Sequence, residues 1–455
     1  MPNPIQTSAT RKIVVIDDDP TGCQTVHGCL LLTRWDPETL TEALGDDSPL
    51  CFVLSNTRGL GAQEAAAVTR EICVNLRRAL AGLAALGRPV RPILVSRSDS
   101  TLRGHYPVET DVIAEELGPF DALFLVPAFF EGGRITRDGT HYLMVDGRAV
   151  PVSETEFARD SVFGFRSAYL PDYVEEKTGG RIRADRVERF GLAELRGDLS
   201  ERLLGLAGNR CCVVDAERQS DLDGFARQVL AAADAGKRLL FRSAASLLTA
   251  LAALPPQPLA PEAMASCVRG GRPGVVLVGS HVERTGRQLA RLIAETDCLP
   301  LEVDLDLMLT DEEALVARLL GHLAEAQQAG RGAVLYTSRG ERRFADSSER
   351  LAFGERVSGL LMRLVQGLPL ETGFLIAKGG ITSNDTLSHG LGLRTARVLG
   401  QIRPGCSVVR CPDDHPRLPG LPVVIFPGNV GGDLTLAEVY GILARGAAPG
   451  DRQAA

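Results

Sequence analysis

The chain has 455 residues, 44% of them hydrophobic and 24% charged, a length that calls for more than one hydrophobic core. A formal net charge of -7 supplies no basic field for a nucleic-acid backbone, so a nucleic-acid partner is not expected. No apolar leader follows MPNPIQTSATRK, and the most apolar helix-like stretch, 246–254, stops at Pro255-Pro256, short of the roughly 18 to 20 residues that cross a bilayer; a soluble, cytoplasmic protein without a membrane partner is expected.

The first strand is Ile13-Val14-Val15-Ile16, a non-alternating β-branched run that reads as covered on both faces. It runs directly into Asp17, Asp18 and Asp19 before Pro20 and Gly22 break it, which puts carboxylates where open α/β sheets bind ligands. Three readings of the triplet stay open: a solvated Asp-Pro turn, the Asp-x-Asp-x-Thr element of haloacid-dehalogenase phosphatases with its first Asp as nucleophile, or a wall of a polyol or metal pocket in a transferase. Strands follow at 29–33 and from 50, the second ending on Asn56-Thr57-Arg58-Gly59, and then an amphipathic helix from about Ala62 to Leu86. A third buried run leads into SRSDSTLRGH, 96–105, and a fourth, from 122, into Glu131–Arg134. On one largely parallel sheet these polar ends share one edge.

Between about 140 and 200 the periodicity weakens, and short helices in an irregular excursion are expected. Strand and helix return at 210–216 and 238–248, and proline and glycine then crowd 254–273, as a linker would. The expected division is an N-terminal α/β domain at 1–253, a linker at 254–273 and a C-terminal α/β domain at 274–455. In the second half, runs ending in VGSHVERT, in AKGGITSND at 377–385 and in FPGNVGGD at 426–433 pass through small-residue turns towards helices. Such turns present backbone N–H groups to phosphate. Neither G-x-x-x-x-G-K-[ST] nor an early G-x-G-x-x-G is present, so P-loop and ordinary Rossmann chemistry lose support.

Within 96–105, Asp99, Ser100, Thr101 and Arg103 offer a carboxylate, two hydroxyls and a guanidinium in five positions. A helix cap would account for only one of them; a hydroxylated carboxylic acid would use them all, with Arg58 as a second grip. His105 and His281 merit testing, although a lone histidine is more often structural. The ten cysteines show no Cys-x-x-Cys spacing, and Cys406, Cys411 and His415 lack a fourth partner, so they read as small core residues of a reduced protein rather than metal ligands.

Together, DDDPTG, SDSTLRG, VPAFFEGGR, GSHVERTGRQ, KGGITS and PGNVGG resemble the four-carbon acid sugar kinase family over essentially the whole chain. The resemblance implies two α/β domains with the substrate site in the interdomain cleft. It also implies ATP-dependent phosphorylation of the 4-hydroxyl of a tetronate such as threonate or erythronate, or of a 3-oxo-tetronate. By matching position, Asp18, Arg58, Arg97, Asp99, Ser100, Thr101 and Arg103 would hold the sugar acid. Ser280, Gly379, Gly380, Thr382, Ser383, Gly428, Asn429, Gly431 and Gly432 would hold ATP. Departures from the family pattern are Ile381 in place of an acid, His281 in place of a cysteine, Arg97 in place of a lysine and His105 in place of an asparagine. The general base is expected among Asp99, Asp18, Asp19 and Asp433, with Mg²⁺ on oxygen ligands that sequence does not identify. A phosphatase, and a sugar-acid-binding protein without turnover, are the alternatives.

Overall fold

The computed structural model describes residues 9–280, 282–338 and 347–447. The chain divides between Pro256 and Gln257 into two compact units.

In the first unit the strands are β1 (Thr10–Asp17), β2 (Leu30–Leu32), β3 (Leu50–Leu54), β4 (Val90–Arg97) and β5 (Ala122–Val126). A three-stranded antiparallel sheet comes next, made of β6 (Arg134–Arg137), β7 (Thr140–Val145) and β8 (Arg148–Pro151). The main sheet is completed by β9 (Glu188–Phe190), β10 (Arg210–Val214) and β11 (Leu239–Ser243). Its order is β2-β3-β1-β4-β11-β5-β10-β9, and every adjacent pair is parallel. β1 from Ile13, β3, β5 and β11 are buried throughout, as a sheet covered on both faces requires.

Register fixes the site. Asp17 pairs with Leu54 on one side and Arg97 on the other, and Ser243 lies beside both Arg97 and Val126. The polar segments beyond these residues therefore leave one edge of the sheet, as the sequence suggests.

The 140–200 expectation needs correction at its start, because β6 to β8 form a regular sheet. Its two turns are Asp138-Gly139 and Asp146-Gly147, all four residues at φ between 50° and 76°, the backbone that two-residue hairpin turns demand.

The second unit holds β12 (Val275–Val278), β13 (Leu299–Val303), β14 (Ala333–Thr337), β15 (Leu375–Lys378), β16 (Thr395–Arg403), β17 (Cys406–Arg410) and β18 (Pro422–Phe426). Their order is β13-β14-β12-β15-β18-β17-β16, parallel except where β17 pairs with β16 and β18. That antiparallel hairpin, turning at Pro404-Gly405, is not among the predicted elements. Met264 and Val268 of the proline-rich stretch are buried in this unit's core, and the Gln257 side chain bonds Gln401 on β16. Nine of the ten cysteines are buried free thiols, Cys267 being half-buried. Among the described residues no helix is long and apolar enough to cross a membrane.

Candidate functional site

In the first unit the strand ends carry a chain of charge pairs. Asp18, almost wholly buried, accepts from Arg58 Nη2 at 2.5 Å, from Arg58 Nε at 3.3 Å and from the Ser98 hydroxyl at 2.7 Å. Arg58 Nη1 reaches on to Asp19 at 2.9 Å, whose other oxygen accepts from the Thr21 hydroxyl and N–H. Behind them Arg242 donates to Ser96, Ser98 and Glu109, and Glu109 accepts from Thr57. Buried charges persist when paired and hydrogen-bonded in this way.

The 98–104 loop is shaped from outside itself. The Tyr173 hydroxyl donates to the Leu102 carbonyl at 2.9 Å, holding Leu102 at φ 68°. Gly104 sits at φ 120°, where an added Cβ would lie 2.4 Å from Ser98 Oγ and 2.9 Å from Asp18 Oδ2. Burial pushes the pKa of His141 down to about 4. The neutral ring therefore donates Nε2–H to the Ser100 carbonyl at 2.8 Å and accepts at Nδ1 from the Thr136 hydroxyl at 2.9 Å. His105 hydrogen-bonds the Thr57 and Leu60 carbonyls through Nε2 and braces the Arg58 turn.

Asp99 accepts from Arg103 Nε at 2.9 Å and from the Thr101 N–H and hydroxyl. Burial raises its pKa, but Arg58 and Arg103 outweigh that and hold it far below the usual carboxylate range. For Asp19, too, burial is outweighed by Arg58 and Thr21, and its pKa is lowered. Both are hydroxyl acceptors and weak bases. Asp17 is different: burial pushes its carboxyl up to about 7 against the pull of Arg97. It is fully buried, its Oδ2 has no hydrogen-bond partner, and a Cβ on Gly22 would lie 1.7 Å from that oxygen. A phosphatase nucleophile must face its substrate, and Asp17 is sealed in.

Two expected binding residues need correction. Arg97 is buried and pairs with Asp17 at 3.4 Å, so it neutralises the core side of the site. Ser383 is fully buried, its hydroxyl donating to Ala377 and its N–H to Gly379, which leaves neither donor for a phosphate. Ser100, Thr101 and Arg103 are brought together with Asp99. His281 lies outside the described residues.

In the second unit the ends of β12, β15 and β18 share one row, Val278 beside Lys378 and Lys378 beside Phe426. Three turns leave it in close packing. A Cβ on Gly279 would lie 2.3 Å from Thr382 Oγ1, one on Gly379 3.2 Å from Ser280 Cβ, and one on Gly428 3.2 Å from Ser280 Oγ. Gly379, at φ 124°, begins the Gly380–Asp385 helix in a conformation open only to glycine.

The 427–433 loop has its carbonyls turned inward. The Lys378 ammonium, fully buried and 4.2 Å from the Phe426 ring centroid, donates to Pro427 O at 2.5 Å and Gly428 O at 3.1 Å. Thr285 also donates to Gly428 O, Arg284 to Asn429 O, and Gln288 to Val430 O and Gly432 O. In a planar trans peptide the N–H points opposite to the C=O. The N–H groups of Gly428, Asn429, Gly431 and Asp433 therefore face away from these donors, and among the described residues none of the four has a hydrogen-bond acceptor. Backbone amides left open in this way are available to an anion. Asn429, Gly432 and Asp433 are exposed. Ile381, beside the neighbouring turn, is 70% exposed. Lys378, Arg284 and Gln288 were not among the sequence candidates; the available signal was a lysine closing an otherwise apolar strand.

Among the described residues no three metal-ligating side chains come together. Asp433, the carboxylate on the amide loop, pairs with Arg287.

A family model described as a sugar-binding N-terminal domain matches residues 13–251, and one described as a nucleotide-binding C-terminal domain matches 275–436. A D-erythronate kinase of Heliobacterium modesticaldum is 30% identical over 226 residues, which are 47% of this chain and 47% of that protein; the alignment thus spans about half the length of that relative. A DUF1537 protein of Haemophilus influenzae shares the fold at TM-score 0.64 and 19% identity, covering 95% of this chain and 100% of that one. A Salmonella typhimurium LT2 protein does so at TM-score 0.66 and 20% identity, covering 95% and 98%. The chain belongs to the four-carbon acid sugar kinase family.

Proposed function

We propose that this member of the family is an ATP-dependent kinase that phosphorylates the 4-hydroxyl of a four-carbon sugar acid, a tetronate or 3-oxo-tetronate. The observation that carries the reading is the row of outward amides at Gly428, Asn429, Gly431 and Asp433, enforced by inward-turned carbonyls. Phosphate oxygens are the ligand such a row suits. Thr382, Gly379, Gly380 and Ser280 stand beside it on the neighbouring turns.

The first unit supports the acceptor half of the reaction. Asp18, Asp19 and Asp99 are carboxylate acceptors with lone pairs left over from their arginine bonds, suited to the hydroxyls of a polyol. Phosphoryl transfer is chiefly positioning and charge stabilisation, so a site whose carboxylates are tied to arginines, with Asp19 and Asp99 poor bases, is no obstacle to it. Mg²⁺ would arrive on the ATP phosphates, which supply most of its ligands, with Asp433 as a carboxylate within the loop; bound there it would neutralise charge on the transferred group.

The relative named D-erythronate kinase makes erythronate the first substrate to assay. The test is ADP release with ATP, Mg²⁺ and a panel of D-erythronate, threonate and 3-oxo-tetronates. Acid-dependent ADP release is the expected result. Phosphate release from phosphorylated sugar acids without ATP would replace the reading with a phosphatase, and binding of both ligands without turnover would replace it with a sensor.

A further inference from the structure

Four of the five arginines around the first-unit site already hold a carboxylate. Arg58 pairs with Asp18 and Asp19, Arg97 with Asp17, Arg103 with Asp99, and Arg242 with Glu109. Arg134 is the exception: among the described residues no carboxylate lies within ion-pair distance of it. It nonetheless belongs to the same neighbourhood, since its charge interacts with those of Asp99, Arg103 and Glu156 and bears on His141.

Its setting is built for a guanidinium. Arg134 opens β6 after the Phe130–Gly132 turn and its closing residue Gly133, and its backbone exchanges two hydrogen bonds with Phe129, at 2.8 and 3.0 Å. The guanidinium carbon stands 6.0 Å from the Phe129 ring centroid, and Nη1 donates to the Gly132 carbonyl. A Cβ at position 132 would fall 2.3 Å from Nη1, so glycine is what lets the head group lie there. Nε is buried with no hydrogen-bond partner, and Nη2 has no partner among the described residues. These two atoms form one side of the planar fork, the side that takes a carboxylate through two parallel N–H bonds. Burial lowers the arginine's pKa, with Arg103 adding to the effect, as befits a cation that lacks its counter-ion.

We propose that Arg134 is the anchor for the carboxylate of the small hydroxylated acid, a role that rests on the kinase reading above. Arg58, whose three nitrogens are all engaged, and Arg103, whose Nε is held by Asp99, then orient Asp18, Asp19 and Asp99 towards the hydroxyls. The acid end and the polyol end of the ligand are thereby recognised by different residues.

The test is calorimetric binding of D-erythronate and threonate, of the neutral tetritols erythritol and threitol, and of ATP, to the full chain and to its Arg134→Met and Arg134→Lys variants. Unchanged tetritol binding certifies that the first unit of a variant is folded, and unchanged ATP affinity does so for the second. A charged hydrogen-bond pair is worth about tenfold to a hundredfold in affinity. The wild type should prefer acid over tetritol by that margin, Arg134→Met should lose the preference while binding tetritols as before, and Arg134→Lys should keep part of it. Retention of the full preference by Arg134→Met, with Arg103→Ala or Arg58→Ala abolishing it, overturns the anchor and leaves the kinase reading standing. A wild type that binds ATP but neither acids nor tetritols overturns the kinase reading and the anchor with it.

Discussion

On the proposed reading, the two units hold a polar ligand in opposite ways. The first does it with side chains: charges from Glu109 through Arg242, Ser98, Asp18 and Arg58 to Asp19 are locked to one another at the ends of buried strands. The second does it with backbone: Lys378, Thr285, Arg284 and Gln288 never need to touch the ligand, because they hold carbonyls so that amides face out. A charge network discriminates by stereochemistry, whereas a row of amides recognises any phosphate chain. On the kinase reading proposed above, specificity for the acid belongs in the first unit and generic phosphate chemistry in the second.

The contrast breaks most visibly at Asp18. Asp18→Asn leaves Arg58 and Ser98 without their shared buried anion, and we expect a loss of about 3 kcal/mol in chemical denaturation together with loss of turnover. A variant as stable as wild type would mean that the charges are merely adjacent. Next in size is Gly379→Ala, which places a side chain at φ 124° against Ser280 and Thr382. It should cost about 1 to 3 kcal/mol and weaken ATP binding, with affinity for the sugar acid untouched. Lys378→Met sharpens the comparison, since it releases two carbonyls and removes no ligand contact. The expected result is an ATP dissociation constant raised about tenfold at constant KM for the acid; a change in the acid KM instead would contradict the division of labour.

A further effect is a pH difference. The folded pKa of Asp17 is raised, to about 7 from 3.8, so between these values the native state binds the extra proton and stability falls as pH rises. Below 3.8 both states are protonated, above 7 neither is, and the slope vanishes. Asp17→Asn removes this dependence, so its denaturation midpoint should gain on that of the wild type between pH 4 and 7 and stay level above. Parallel curves would show that Asp17 is ionised throughout.

Much of this was legible in the sequence for a local reason. Buried parallel strands are short apolar runs, and the site is built from the residues just past the end of each run, so Asp18, Arg58, Asp99 and the glycine turns all stood out. Contacts that act across distance stayed hidden: Arg242 reaches residues 133 to 146 positions away, and the partners of the 427–433 carbonyls at Arg284 and Gln288 lie 142 to 145 positions away. Pairing also decided which arginines remained available, and Arg58 and Arg134 look alike until their partners are known. The β6 to β8 hairpins were readable and were missed, because Asp138-Gly139 and Asp146-Gly147 are strong two-residue turn signals.

β11 lies between β4 and β5 in the sheet, although it comes after them by more than a hundred residues. Until the ribosome has released Ser243, the two strands it joins have exposed edges, and Glu109 and Ser98 lack the guanidinium that ties them. The first unit therefore cannot mature progressively as it is made. A nascent chain halted before Leu239 would be a chaperone substrate, and one released just past the first unit would be the shortest able to close.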